Sequence, residues 1–432
     1  MKKNYKLFRL SLSLAFYFSA FSVFAQTTFT DGIFVLNEGG TGGGSSVSFI
    51  SSTSQLQNNI YAAANPTTPD MGIIGQSISF HGDYAYIILN MSNSIRVVNR
   101  YTFQLVATIT SGLSNPRYMA FYDNKGYVTN WGPSFGSAGY LAVINLETNI
   151  VEVSVPLNGG QERIVNINDK LYIAHQGGLS YDNKITIIDP SINVTEMMLI
   201  VGDIPNSMVE KDGFLYVLCG GKPYWADEET DGKLVKINLA TNAVTDVMQF
   251  PDLHPANLKI EGDYFYFSID AAVYKTAVAA PTLPATALFT LAPQGVYGLY
   301  GMDIIDNKIY AADAGDYSSP GKAYIYSTDG AQLNNFTVGV VPNSFYKAEL
   351  QPLGVGENSI AKLSIYPNPA SDVFFINTEK NAKVTIYDIS GRMIKTQEYT
   401  VSGINVSDLN PGIYMAEIVI ENARQVQKII IK

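Results

Sequence analysis

The chain has 432 residues, enough for two domains and a large core, with a single cysteine at Cys219 that rules out any intramolecular disulfide. Its formal net charge is −10, and it is rich in Tyr (28), Phe (21) and Gly (36). An acidic chain is a poor partner for nucleic acid or an anionic membrane, and this composition points to many short strands and turns.

The N-terminus reads as a secretory signal over residues 1–25. Lys2, Lys3, Lys6 and Arg9 form its basic part, LSLSLAFYFSAFSVF its apolar part, and Val23-Phe24-Ala25 a small-residue cleavage site. Cleavage removes four positive charges and leaves 24 basic against 38 acidic residues, net −14. No cysteine follows the signal, so no lipid can be attached there. No later stretch is apolar and long enough to span a bilayer.

From residue 31 to 350 a unit recurs. PRYMAFYDNKGYVTNWG begins at Pro116 and PNSMVEKDGFLYVLCGG at Pro205. Stepping three and then eleven residues from each start gives an apolar residue and an aromatic. Gly75 leads to Ile78 and Tyr86, Pro116 to Met119 and Tyr127, and Gln161 to Ile164 and Tyr172. Pro205 leads to Met208 and Tyr216, Pro255 to Leu258 and Tyr266, and Leu299 to Met302 and Tyr310. Each aromatic strand is followed by a second strand pair, as in GYLAVINLETNIVEVSV, whose turn carries Asn145 and Thr148. Four antiparallel strands every 41 to 50 residues is the period of a β-propeller blade. The ends are complementary half-units. GIFVLNEGG at the start has Phe34 in the Tyr position but no Pro-strand before it, and PNSFYKAEL (342–350) is a Pro-strand with no Tyr-strand after it. Joined, they complete a seventh blade and remove the open seam of the ring. The expected fold is all-β, a seven-bladed β-propeller followed by a small C-terminal β-sandwich.

After a linker at 351–358, residues 359–432 form short alternating strands between Pro/Gly turns. Tyr366-Pro367-Asn368-Pro369, the Asp388–Gly391 turn and Leu409-Asn410-Pro411-Gly412-Ile413-Tyr414 resemble the C-terminal sorting domain of the bacterial type IX secretion system. That resemblance implies the type IX machinery as a partner, passage across the outer membrane, and a destination at the cell surface or outside it.

In a propeller, the loops from second to third strand share a face with the blade-to-blade connections. Turns such as Asp123-Asn124-Lys125 and Lys211-Asp212-Gly213 lie on the other face and read as plain hairpins. The first face carries long loops: NEGGTGGGSS, NWGPSFGSAG, HQGGLSYDN, CGGKPYWADEETDG and DAGDYSSPG. Such loops on a rigid scaffold are where binding resides. Their aromatics, Trp131, Phe135, Tyr140, Tyr181, Tyr224, Trp225 and Tyr317, suit the rim of a bowl for a large amphipathic ligand. Glycines beside them allow close backbone approach to a ligand. The expected ligand contacts are Asn37, Glu38, Asn90, Arg117, Asn130, Trp131, Tyr140, Gln176, Tyr181, Tyr224, Trp225, Asp313 and Tyr317, with Glu162, Asn206 and Asp316 as further polar candidates. Catalytic and metal-ligating residues are not expected. Asp227–Gly232 lacks the ligand spacing of a calcium loop, His81 falls on the hairpin face, and His175 and His254 lie about 80 residues apart.

GYVTNW contains the tetrapeptide of the Tyr-Val-Thr-Asn-type propeller repeats. GIFVLNEG, NPRYMAFYDNKGYVTNWG and VGDIPNSMVEKDGFLYVLCGG resemble a surface-exposed propeller family that includes cobalamin-capturing proteins. That resemblance implies a non-catalytic surface protein binding cobalamin or a related corrinoid, which it passes to an outer-membrane TonB-dependent transporter. Well-known members of that family are lipoproteins, whereas here a sorting tail is present and no lipid-bearing cysteine follows the signal. Two other readings stand beside it. One is a protein- or glycan-binding surface propeller. The other is a metal-dependent lactonase-like hydrolase drawing on Asn37, Glu38, Asn130 and Asp313.

Overall fold

The structure is a computed structural model that describes residues 28–40, 44–157, 159–296, 298–349, 364–378, 381–388, 391–400, 402–420 and 423–432. The signal sequence, the 351–358 linker and the tip of the first glycine-rich loop lie outside the described residues. The chain divides into two compact units, Met1–Leu350 and Gln351–Lys432.

Among the described residues of the first unit the strands form seven four-stranded antiparallel sheets. Six are consecutive in sequence. The remaining sheet joins the two ends of the unit: Pro342–Ala348 pairs with Gly32–Asn37, which continues through Ser46–Ser51 to Leu56–Gln57. Counting this closing sheet as the first blade, the inner strands of the second to seventh blades are Gly75–His81, Pro116–Tyr122, Gln161–Ile167, Pro205–Lys211, Ala256–Glu261 and Gly301–Ile305.

The recurring aromatic is the reason the ring holds. Tyr86, Tyr127 and Tyr266 are 1% exposed or less, and Phe34 takes the same place in the first blade. Each lies on the second strand of its blade and packs in a cluster shared with a neighbouring blade. Tyr86, Ile88 and Val97 of the second blade meet Met119, Val128 and Ile144 of the third. Tyr127 and Leu141 of the third meet Ile164, Leu171 and Ile173 of the fourth. The series ends with Tyr310, Ala323 and Ile325 of the seventh blade against Ile33, Val35 and Phe345 of the first. A blade therefore cannot bury its faces alone, and the circle closes by the same packing that joins neighbours. Each such aromatic contributes about 1.5–3 kcal/mol through burial.

A five-residue helix, Ile60–Ala64, in the connection from first to second blade was not expected from the strand pattern; Ile60 and Tyr61 add to the cluster between those blades. No helix among the described residues is long and apolar enough to cross a membrane.

The second unit pairs a three-stranded sheet (Ile365–Tyr366, Val373–Ile376, Ile404–Asn405) with a four-stranded one (Met393–Glu398, Lys383–Asp388, Gly412–Ile420, Ala423–Ile431). Phe374, Ile376 and Ile404 of the first pack on Val384, Ile386 and Ile418 of the second. The motif residues of this unit are structural. The Asn368 amide donates to the Lys428 carbonyl (2.8 Å) and accepts from the Ile430 amide (2.9 Å), fixing the Pro-Asn-Pro segment to the last strand.

Candidate functional site

The site begins with a backbone device at the start of the inner strands. Ile74, Asn115, Gly160, Ile204 and Val341, each immediately before an inner strand, have φ between 51° and 57°. Asn and Gly tolerate this left-handed conformation, whereas Ile and Val are strained in it. The carbonyl of each accepts a hydrogen bond from the residue that ends or follows the second strand. The donors are Asn90 to Ile74 (2.9 Å), Trp131 to Asn115 (3.1 Å), Gln176 to Gly160 (3.2 Å), Gly220 to Ile204 (2.9 Å) and Glu38 to Val341 (2.8 Å). The long loops are thus anchored to the channel rim at their first residue.

Just inside this clamp the pairing register of the first six blades shifts, between Gly75 and Ser77, Pro116 and Met119, Gln161 and Ile164, Pro205 and Ser207, Ala256 and Lys259, and opposite Leu36/Asn37. A bulge breaks strict in–out alternation and re-aims side chains. Successive residues accordingly line one cavity: Arg117 with Tyr118, Glu162 with Arg163, and Asn343 with Ser344. This cavity, of about 210 Å³, is walled by the inner strands at the loop-face end of the ring.

Across its mouth Arg117 of the third blade makes a bidentate bridge to Glu162 of the fourth, both N–O distances being 2.8 Å. The Trp131 ring lies 4.0 Å from the guanidinium carbon. Burial opposes the Arg117 charge, but Glu162 outweighs it, and the guanidinium is held above its ordinary pKa. Glu38, from the first blade, accepts from the Tyr300 hydroxyl (2.8 Å) and the Asn343 amide (3.1 Å). Burial pushes the Glu38 carboxyl up, partly offset by Asn343, Tyr300 and Arg117. Burial and the facing carboxylate likewise push the Tyr300 phenol up. Tyr317 stands edge-on to Tyr300, ring centroids 5.6 Å apart. Glu38 and Tyr317 also line a second, more open depression of about 680 Å³ with Gly39, Ile73, Met91 and Val341.

Four expected contacts therefore belong to the channel mouth or its adjoining depression: Glu38, Arg117, Trp131 and Tyr317. Three are placed otherwise and correct the sequence reading. Asn37, Asn90 and Asn130 are 0%, 6% and 0% exposed. Asn37 donates to Ser48 Oγ (3.1 Å), Asn90 to the Pro116 carbonyl (3.2 Å), and Asn130 accepts from the Ser114 amide (3.0 Å). They stitch strands and connections in place of lining a surface. The Tyr140 hydroxyl donates to the Gly112 carbonyl (3.1 Å), and Asp313 accepts from the Gly315 amide (2.9 Å) within its own loop. Gln176 is half-buried at the clamp of the fourth blade, and Tyr181 is exposed. Tyr224 and Trp225 are 75% and 71% exposed and meet edge-on, centroids 4.9 Å apart, on the fifth blade's loop. Asn206 donates to the Pro255 carbonyl (2.9 Å), tying fifth to sixth blade, and Asp316 caps Ser318 and Ser319.

The glycines also serve a different end from the one expected. A Cβ at Gly178 would sit 2.1 Å from the Phe135 carbonyl oxygen, so Gly178 lets the loops of the third and fourth blades interlock. The Leu179 amide, next along, donates to that same oxygen at 3.1 Å.

The sequence reading missed Gln76, Tyr118, Arg163, Lys259, Tyr300, Asp303 and Asn343. The signal was present: Gln76, Tyr300 and Asn343 occupy the step after the start of the repeating unit that Arg117 and Glu162 occupy in their blades. No group of three or more His, Cys, Asp or Glu side chains among the described residues is placed to hold a metal ion.

Residues 364–432 match the secretion system C-terminal sorting domain, which addresses the protein through the type IX system to the cell surface or the extracellular space. Among solved structures, a functionally unknown protein from Desulfotomaculum acetoxidans is similar in fold, at 10% identity and a TM-score of 0.51, over 74% of this chain and 100% of its own. The Neurospora crassa Pan2 WD40 domain aligns over 67% of this chain and 85% of its own (13% identity, TM-score 0.48). Apo AztD from Citrobacter koseri aligns over 74% and 97% (10% identity, TM-score 0.44). No curated protein matches the sequence. Residues 31–314 match the family described as a domain of unknown function (DUF5074), well over half of the chain, and the protein belongs to that family.

Proposed function

We propose that the propeller is a non-catalytic capture module that holds a corrinoid, cobalamin foremost, at the loop-face mouth of its channel. The observation that carries this reading is the set of groups converging there from different blades. Trp131 is fixed over Arg117, and Tyr317 and Tyr300 stand beside Glu38 and Asn343. Aromatic faces suit a flat macrocycle, and fixed carboxylate and amide groups suit its peripheral amides. Rings held in place beforehand lose little entropy on binding. An outer-membrane TonB-dependent transporter is the proposed recipient, consistent with the surface address of the sorting domain.

The test is to incubate the purified protein with cyanocobalamin, desalt it, and record its absorbance spectrum. Retained corrinoid absorbance supports the reading, and its complete loss at micromolar protein rejects it. A second reading, a protein- or glycan-binding surface propeller, rests on Tyr224 and Trp225, two large exposed rings on one loop. Binding of whole cells or glycan arrays that is lost in Trp225→Ala, with no corrinoid retained, selects it.

A further inference from the structure

Below the Arg117–Glu162 bridge the channel holds a cation in no direct ion pair among the described residues, its charge answered only at longer range by Glu162 and Asp303. Arg117 is matched by both oxygens of Glu162, and Lys259 is paired with Asp303. Among the described residues no carboxylate lies within ion-pair distance of Arg163. Its one hydrogen bond runs from Nε to the Asn206 carbonyl at 3.3 Å, and its guanidinium lies over the Tyr118 ring, 4.1 Å from the centroid. Both Nη groups, four N–H donors, are left with no acceptor among the described residues. The Tyr118 hydroxyl accepts from the Gln76 amide (3.2 Å), so its own proton is also unassigned. Arg163, Tyr118 and Gln76 line the same 210 Å³ cavity.

Arg163 is half-buried, so its free donors face the cavity, and a group that enters the cavity can reach them. Its planar fork matches the paired oxygens of a carboxylate or a phosphate. At roughly 30 Å³ per water, the cavity exceeds what such a group needs but falls short of the 300 Å³ or more of a pocket for a larger molecule.

We propose that this channel is a binding site for a small anionic group, a carboxylate or a phosphate, gripped by the Arg163 fork and the Tyr118 hydroxyl. The site goes beyond corrinoid capture and stands or falls separately, since its probes carry no macrocycle.

The experiment is thermal unfolding of the mature chain, following the propeller transition, while sodium chloride is exchanged for acetate or for inorganic phosphate at constant ionic strength. At 10 mM, at least one of the two raises Tm by about 2–4 °C, and the arm that does so identifies the group. Arg163→Gln abolishes the shift. Tyr118→Phe keeps the ring under the guanidinium and weakens binding by roughly fivefold to tenfold, so it decides the matter if Arg163→Gln fails to fold. Lys347→Gln, at an exposed pair with Asp306, leaves the shift intact. The proposal is overturned if neither anion exceeds chloride in the wild type, or if the shift survives in both channel variants.

Discussion

The two ends of each inner strand are built on different rules. At the hairpin end, Asp212-Gly213 and Asp306-Asn307 take positive φ at both turn positions, as two-residue hairpins require, and a Cβ added at Gly82, Gly213 or Gly262 would meet nothing. The charged pairs there reach into solvent, as in Lys211–Asp263, whose carboxylate side chain is 89% exposed. At the loop end, β-branched residues are forced into the left-handed region, bulges break the alternation, and the Arg117–Glu162 bridge is buried, its side chains 13% and 5% exposed. Local chemistry alone explains the first end. The second keeps backbone strain and a buried charge pair that local turn chemistry does not account for.

Charge removal separates the ends most sharply. Glu162→Gln leaves the Arg117 guanidinium buried without its counter-ion and is expected to cost about 3–5 kcal/mol in denaturant unfolding of the propeller. Asp263→Asn, at the hairpin end, should cost less than about 0.5 kcal/mol. Equal effects would erase the distinction.

Backbone strain comes next. Ile204→Asn, which copies the Asn115 solution at the same step, is expected to gain about 1 kcal/mol by relieving a φ of 56°. Gly213→Val, where φ is +79° and space is open, should lose about as much through the backbone alone. A loss at Ile204 would show that its packing outweighs the strain.

The smallest effect is titration. Burial raises the Glu38 carboxyl above its ordinary value of 4.5 in the folded protein. The unfolded chain then ionises first, so Glu38 lowers stability above its folded pKa and ceases to do so as the pH falls through it towards 4.5. Glu38→Gln should flatten the stability profile between neutral pH and 4.5 in urea titrations at several pH values. A variant with the wild-type slope would assign that slope to another group.

The blades were legible in the sequence because the aromatic at the eleventh step is a core residue shared by two blades, and packing enforces its period. Closure was legible because Phe34 and Pro342 supply halves of one unit. The site was legible only in part. Strict alternation would not turn both Arg117 and Tyr118, or both Glu162 and Arg163, into one channel, and nothing in the residue types announces a bulge. Asn37, Asn90 and Asn130 were misread because an amide at a strand end serves a backbone partner as readily as a ligand. Trp131 is half-buried against Arg117, and that seat depends on how the third blade meets the channel, which is a property of the closed ring.

The most direct measurement of the central claim is isothermal titration of the mature protein with cyanocobalamin, alongside Trp131→Ala and Asp263→Asn. Capture at the channel mouth predicts saturable binding in the wild type, unchanged in Asp263→Asn and weakened about tenfold in Trp131→Ala, which loses one stacking contact and the cover over Arg117. No heat at micromolar protein, or equal affinity in all three, would contradict it.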